Sequence, residues 1–352
     1  MSTDMKIKIA DIDIFYLSYD EPNKQEHWAD IKSKVPWAKW VDGVEGSDAA
    51  HKACANKSDT DRFITVDGDN KLVNFEKLID LELDFSDYEL ENLKHSVISF
   101  TGYNNINGLM YGNGGIKCWP KQAVLDMKTH EAAESEGSAV DFCWDMNYIQ
   151  LNECFSHVFN NATPHQAWRA GFREGVKMSL DRGYKVDPVN FEKNIHDKNY
   201  HRLLIWSSVG ADVENGLWAL YGTRLGCYMT NCTDWDFVNV RDFEWLNKFW
   251  EDKTKPQFAG GEEDEMCHIE KYSWNKEKLW NETVRLGKEL RNRLGLQIDD
   301  LSAEGSAFFK KVYWNPPRSG AFVTEKGTDG ITRYKVLKWP MKYLRLNKPE
   351  TN

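Results

Sequence analysis

A chain of 352 residues is long enough for one large domain or two ordinary ones, and a hydrophobic content of 41% is enough for a proper core. A formal net charge of −10 argues against a surface coated for unspecific nucleic-acid binding, while leaving room for a local basic groove. No apolar run is long enough to span a bilayer, and the seven cysteines contain no CxxC pair, which argues against a zinc ribbon. They read as free thiols, and the start Met1-Ser2-Thr3-Asp4 opens no signal peptide, so a cytoplasmic protein with no membrane partner is expected. The 15 tryptophans suit flat ligands such as sugars and bases, and equally suit a core.

In chain order, Asp11 to Tyr19 is the first β-rich run, stopped by Asp20-Glu21-Pro22-Asn23. Lys24 to Ser33 places Trp28 and Ile31 at helical spacing. Trp37 to Val41 is a second short strand closed by Asp42-Gly43, and Ser47 or Asp48 can cap a helix through Ala55. Arg62 to Val66 is a third strand, ending in Asp67-Gly68-Asp69-Asn70. This order predicts a doubly wound, mostly parallel α/β sheet, whose ligands bind beyond the carboxyl ends of the strands. Tyr19-Asp20-Glu21, Asp42-Gly43 and Asp67-Gly68-Asp69 would face that crevice. Two carboxylates at the tip of a buried strand are costly without a cation, and their hard oxygens suit Mg²⁺ or Mn²⁺ at Asp67 and Asp69. The competing reading is an acidic turn after a core strand.

His95 to Tyr103 is a further strand. The glycine-dense stretch Leu109 to Pro120 either brings the backbone at Asn113, Gly114 and Gly115 close to a ligand or forms a tight hairpin before a helix at Lys121 to Met127. It lacks the Gly-Lys-Ser/Thr ending of a Walker loop. Thr129 to Ser138 reads as an acidic loop. Asp141 and Asp145 stand four apart and share a face if helical. Glu153 to Phe159 is a strand, with His157 near its end and His165 just beyond. Gln166 to Met178 is a strong helical pattern, on which Arg169, Arg173 and Lys177 recur every fourth residue. That stripe is either a solvated face or a surface for phosphates of donor or DNA.

From Tyr200 onward the pattern is helical, with an amphipathic piece at Asp234 to Phe249. Pro256 to Glu265 combines a breaker with an acidic run and sets the expected boundary between residues 1–255, of which about 186–255 is a helical insert or extension, and residues 256–352. Trp274 to Leu294 is a long helix with Gly295 at its C-cap. The tail from Lys310 holds ten Lys and Arg against three acids, interleaved with aromatics. This is the composition of a nucleic-acid groove, with Lys335, Lys338 and Lys342 as phosphate contacts, or of a β-rich cap on an acidic body.

A first strand, a second strand ending near an Asp, a helix with Ala49-Ala50-His51 and a strand ending Val-Asp-x-Asp resemble the GT-A glycosyltransferases of the family-2-like branch. The stretches VDGDN, NGLMYGNGGIKCWPK, QAWRAGFREGVKMSLDRG and LWALYGTRLGCYMTNCTDWDFVNVRD are similar to phage-encoded GT-A proteins thought to glycosylate hydroxymethylated pyrimidines in DNA. The resemblance implies a GT-A-like fold and a nucleotide-sugar donor, a UDP-sugar in the first instance. It implies Mn²⁺ or Mg²⁺ on Asp67 and Asp69, with a third ligand such as His165. It places Tyr19, Glu21, Asp42 and His51 near the donor, and Asp141 or Asp145 on the acceptor hydroxyl as the base of an inverting enzyme. The acceptor it implies is modified double-stranded DNA; a glycan, lipid or protein acceptor, and a nucleic-acid-binding protein without catalysis, are the alternatives.

Overall fold

A computed structural model describes residues 6–86, 90–112, 115–260, 274–313, 322–326, 328 and 332–336, with the backbone alone at 90–92, 322–326 and 332–336. It is a mixed α/β protein of two compact units. The first takes Met1–Ala132, Asp145–Phe159 and Tyr313–Asn352; the second takes Ala133–Trp144 and Asn160–Val312. The division therefore does not fall at residue 255. The chain leaves the first unit twice and returns twice.

Among the described residues the strands are β1 (Lys6–Lys8), β2 (Asp13–Ser18), β3 (Lys39–Asp42), β4 (Arg62–Asp67), β5 (Asn70–Leu72), β6 (Glu82–Asp84), β7 (Val97–Asn104), β8 (Met110–Tyr111), β9 (Lys117–Pro120), β10 (Tyr148–Val158), β11 (Phe322–Lys326) and β12 (Thr332–Val336). All belong to the first unit. Helices α1 (Lys24–Lys34) and α2 (Ser47–Lys57) connect β2 to β3 and β3 to β4, and the three strands run parallel in the order β3-β2-β4, as the alternation predicts. In β2 and β4 the side chains are buried on both faces, while in the edge strand β3 only Val41 is buried. Ile14, Tyr16, Ile64 and Val66 join the core cluster that includes Ile31 of α1, while Phe15 meets Phe63 edge-on at 5.7 Å.

Beyond β4 the sheet departs from the expected mostly parallel form. The order continues β9-β7-β10-β5, with β9 antiparallel to both β4 and β7, β10 parallel to β7, and β5 and β8 antiparallel to their neighbours. A second sheet, β1-β6-β12-β11, joins two short early strands to the C-terminal hairpin, so the tail does supply strands.

The second unit is helical: α3 (Pro164–Met178), α4 (Asp197–Ser208), α5 (Gly216–Cys232), α6 (Phe243–Phe249), α7 (Lys276–Leu294) and α8 (Ala303–Val312) are its longer helices. Thr163 caps α3 by accepting from the Gln166 amide at 3.1 Å, with Pro164 in the first turn, and Gly295 ends α7 at φ +68°. Helices α3 and α5 touch backbone to backbone. A Cβ on Gly171 or Gly175 would strike the Ala219 or Thr223 carbonyl, and one on Gly222 or Gly226 would strike the Trp168 or Phe172 carbonyl. Around this seam pack Trp168, Phe172, Trp218, Trp235, Trp245, Phe249 and Trp250, which gives much of the tryptophan content a core role.

Candidate functional site

The parallel register sets Leu17 beside Asp67 and Ser18 beside Asp42, so β2, β3 and β4 deliver their polar ends to one edge. At that edge Asp42 is fully engaged. One oxygen accepts from Ser18 Oγ at 2.7 Å, and Lys24 Nζ bonds both oxygens at 2.7 and 2.9 Å. Burial would raise the Asp42 carboxyl, but the Lys24 and Ser18 bonds outweigh it and hold it below the usual range. Trp40 Nε1 donates to the same Ser18 Oγ at 2.8 Å, and Lys24 also bonds the Tyr19 carbonyl at 2.7 Å. Tyr19 itself is exposed, and its amide donates to Glu21 Oε2 at 2.8 Å.

The Asp67-Gly68-Asp69 turn is crowded with negative charge. A Cβ at Gly68 would lie 2.6 Å from Glu21 Oε2 and 2.9 Å from Ser18 Cβ, so only glycine admits the Glu21 carboxylate this close. The Asp69 carboxyl is pushed up to about 7, first by burial and then by the charges of Asp67 and Glu21. Asn70 Nδ2 donates to Asp69 Oδ1 at 2.7 Å. Lys117 brings a cation. It stands opposite Thr65 across the β4–β9 ladder, buried, with Nζ 3.4 Å from Asp67 Oδ2 and 3.1 Å from the Gly115 carbonyl. His51 donates from or accepts at Nδ1 opposite a carbonyl, which only accepts, so its N–H faces the Ser47 oxygen at 2.7 Å. Its ring meets Trp119 edge-on at 4.7 Å, and burial lowers its proton affinity, keeping it neutral.

Among the described residues no group of three or more His, Cys, Asp and Glu side chains is arranged to hold a metal ion. The donor chemistry at the turn still fits one. Asp67 and Asp69, with Glu21 alongside, are hard carboxylate oxygens, and a divalent cation would relieve both the burial of the Asp69 carboxylate and its repulsion by Asp67 and Glu21.

The remaining expected residues fall elsewhere. Gly115 packs its Cα on β7, where a Cβ would lie 2.6 Å from the Phe100 carbonyl, and a Cβ on Gly112 would strike Tyr148 and Gln150; these glycines serve strand packing, and β8 and β9 each pair with β7 instead of forming a hairpin with each other. Asn113 and Gly114 lie outside the described residues, as do Lys338 and Lys342; of Lys335 only the backbone, in β12, is described. Asp141 and Asp145 do not share a helical face. Asp141 has extended backbone at the end of a short helix, Phe142–Trp144 is a 3-10 turn, and the unit boundary falls between Trp144 and Asp145.

The expected basic stripe on α3 is not an open face. Lys177 bonds Asp141 at 3.0 Å and Glu174 at 2.8 Å. Burial would lower its proton affinity, but the two acids outweigh that and raise it. Arg169 is 8% exposed, and it and Arg173 both sit over the Phe243 ring, at 4.8 and 4.9 Å. His165 packs between Trp168 and Trp250 in the second unit, and His157 lies against Tyr103 on neighbouring strands.

Sequence reasoning passed over Ser18, Lys24 and Lys117. For Lys117 a signal existed: a single lysine inside the apolar run Ile116-Lys117-Cys118-Trp119 needs a partner if buried.

No protein-family model matches the chain, and no curated protein does. Among solved structures, the crystal structure of HddC from Yersinia pseudotuberculosis is similar over 39% of this chain and 67% of its own, at 15% identity and a TM-score of 0.24. A likeness that weak carries no argument about fold or chemistry.

Proposed function

We propose that the chain is a metal-dependent glycosyltransferase with a GT-A-like catalytic unit. It moves a sugar from a nucleoside-diphosphate donor, a UDP-sugar in the first instance, to a hydroxyl acceptor. The observation that carries the reading is the Asp67-Gly68-Asp69 turn at the shared end of three in-register parallel strands, with Asp69 raised to about 7 by burial and then by its acidic neighbours. A divalent cation held by Asp67 and Asp69 would neutralise charge on the leaving diphosphate.

The chain's own residues supply the rest. Lys117 places its Nζ beside Asp67, and the Ser18–Asp42–Lys24 network stiffens the strand ends where the nucleoside would lie. Of the two acids considered for the acceptor proton, Asp141 is paired with Lys177, which leaves Asp145 for that role. The acceptor proposed is a hydroxymethylpyrimidine in DNA, 5-hydroxymethylcytosine first; it rests on the sequence resemblance and the basic, aromatic tail.

The test is a nucleotide-sugar panel with hydroxymethylcytosine-containing duplex DNA, with and without Mn²⁺. A metal-dependent mass gain on the DNA supports donor, cation and acceptor together. Metal-dependent donor hydrolysis without a gain on DNA discards this acceptor. Absence of both nucleotide binding and turnover overturns the enzyme in favour of a nucleic-acid-binding protein. In the same assay, neutralising Lys335, Lys338 and Lys342 together is expected to weaken DNA binding and its salt dependence while sparing donor hydrolysis.

A further inference from the structure

The Gly68 carbonyl, between the two proposed cation ligands, receives two buried donors from different elements. Tyr16 Oη on β2 lies 2.7 Å from it, and His27 Nδ1 on α1 lies 3.1 Å from it. Both side chains are buried, at 0% and 2% exposure. A carbonyl only accepts, so His27 presents Nδ1–H, and the two donors match the two lone pairs of the oxygen. The Tyr16 hydroxyl also lies 2.9 Å from the Lys24 carbonyl, and the shorter contact is the one to Gly68. The next carbonyl is held as well, since Asp69 O accepts from the Phe159 amide at 2.7 Å, and Asn23 Nδ2 holds the Phe159 carbonyl at 2.9 Å.

Glycine is the residue with the widest backbone freedom, so a turn centred on it keeps one geometry only if its peptide groups are tied. A rotation of the Gly68 peptide would swing the flanking carboxylates apart. We propose that Tyr16 and His27 are positioning residues for Asp67 and Asp69, holding the Gly68 carbonyl so that both carboxylates are pre-set for one divalent cation. The proposal rests on the reading above that this turn binds the donor's cation. Satisfying a buried carbonyl would by itself require only one donor. The second donor, from a separate helix, is what points to orientation.

The experiment uses the full chain and Mn²⁺ alone as probe, with affinity read by titration calorimetry and Mn²⁺ electron paramagnetic resonance. The variants are Tyr16→Phe, His27→Leu and their combination. His27→Asn serves as the conservative variant whose amide N–H can replace Nδ1–H. Asp13→Asn is the stability control: it loses the charge that pairs with Lys39 and one of the two oxygens that hold Lys39 and the Asp59 amide, at the opposite end of β2. Orienting partners behind metal ligands act at about ten- to hundredfold in affinity, so each single variant is expected to weaken Mn²⁺ binding about tenfold and the double variant about a hundredfold. His27→Asn restores most of the loss, and Asp13→Asn lowers the melting temperature without changing affinity. Wild-type affinity in the Tyr16 and His27 variants, or an equal loss in Asp13→Asn, overturns the positioning role while leaving the cation site standing. Absence of Mn²⁺ binding in the wild type overturns the cation reading itself, and this proposal with it.

Discussion

The edge of β2, β3 and β4 in the first unit and the α3–α5 seam in the second solve the same problem in opposite ways. Both bring groups so close that only glycine fits, and both bury charge. In the second unit the buried charges of Arg224 and Lys177 are answered. Arg224 donates to the Ser207, Thr283 and Asp299 carbonyls and to Asp300, and Lys177 is paired with Asp141 and Glu174. At the strand edge acids are crowded together: Glu21 and the Asp67-Gly68-Asp69 turn meet at one glycine, and the buried Lys117 Nζ lies 3.4 Å from Asp67. A satisfied buried charge holds a fold in one arrangement, whereas an excess of one sign is a cost that a ligand can repay. The glycines differ in the same sense. Gly171 and Gly222 let backbones meet, and Gly68 lets a carboxylate in.

The comparison breaks most visibly at the seam. Gly175→Leu is expected to destabilise the second unit by more than ~3 kcal/mol, because a side chain there meets the Thr223 backbone, which cannot step aside. The check is loss of a cooperative thermal transition; a folded, stable variant would mean the helices can separate cheaply. Next, Arg224→Met leaves three carbonyls and one oxygen of Asp300 without their donor, Arg291 remaining on the other oxygen, and is expected to cost about 3–5 kcal/mol by denaturant titration.

At the strand edge the expectation reverses. Asp69→Asn should abolish metal-dependent turnover yet stabilise the metal-free protein near neutral pH. The sign follows from proton binding. Asp69 titrates near 7 when folded against an ordinary value of 3.8, so the folded state holds the extra proton between those values, and stability falls as pH rises through that window. Melting temperatures of metal-free wild type and Asp69→Asn from pH 4 to 8 should diverge in favour of the variant; parallel curves would remove the claim of uncompensated charge. The smallest effect belongs to Lys24→Ala. It is expected to change stability by no more than ~1 kcal/mol, since its bridge to Asp42 is partly open to solvent, while raising KM for the donor.

How far this arrangement can be read from residues alone depends on the range of the interactions. The β2-α1-β3-α2-β4 order, the α3 cap at Thr163-Pro164 and the Gly295 stop on α7 are local patterns, visible because periodicity and capping are written within a few residues. The insertion of β9 between β4 and β7 is not, since an apolar strand carries no mark of which neighbour it will pair with or in which direction. Nor are β1 and β6, at three residues each. The Arg169–Arg173–Lys177 spacing was equally compatible with a solvated face and with a buried one. The partners that decide it, Phe243 and Asp141, stand 36 or more positions away in the chain. Asp67 and Asp69 drew notice in the sequence because acids at a strand tip are locally costly. Tyr16 and His27, which bond the Gly68 carbonyl between them, carry no such mark and look like ordinary core residues.

The interleaving of the two units has a consequence for how the protein comes into being. Strand β6 pairs with β1 from the very start of the chain and with β12 near its end, and β7 and β5 both await β10. A nascent chain emerging in order can assemble β2, β3 and β4 early. It cannot close the sheet around the acidic turn until Phe159 arrives to take the Asp69 carbonyl, nor complete the small sheet until the last hairpin is made. The second unit, apart from the short segment before Trp144, is made between those two events. Chain order therefore limits when each contact can first exist: the strand tips earliest, the Asp69–Phe159 bond next, and the small sheet last.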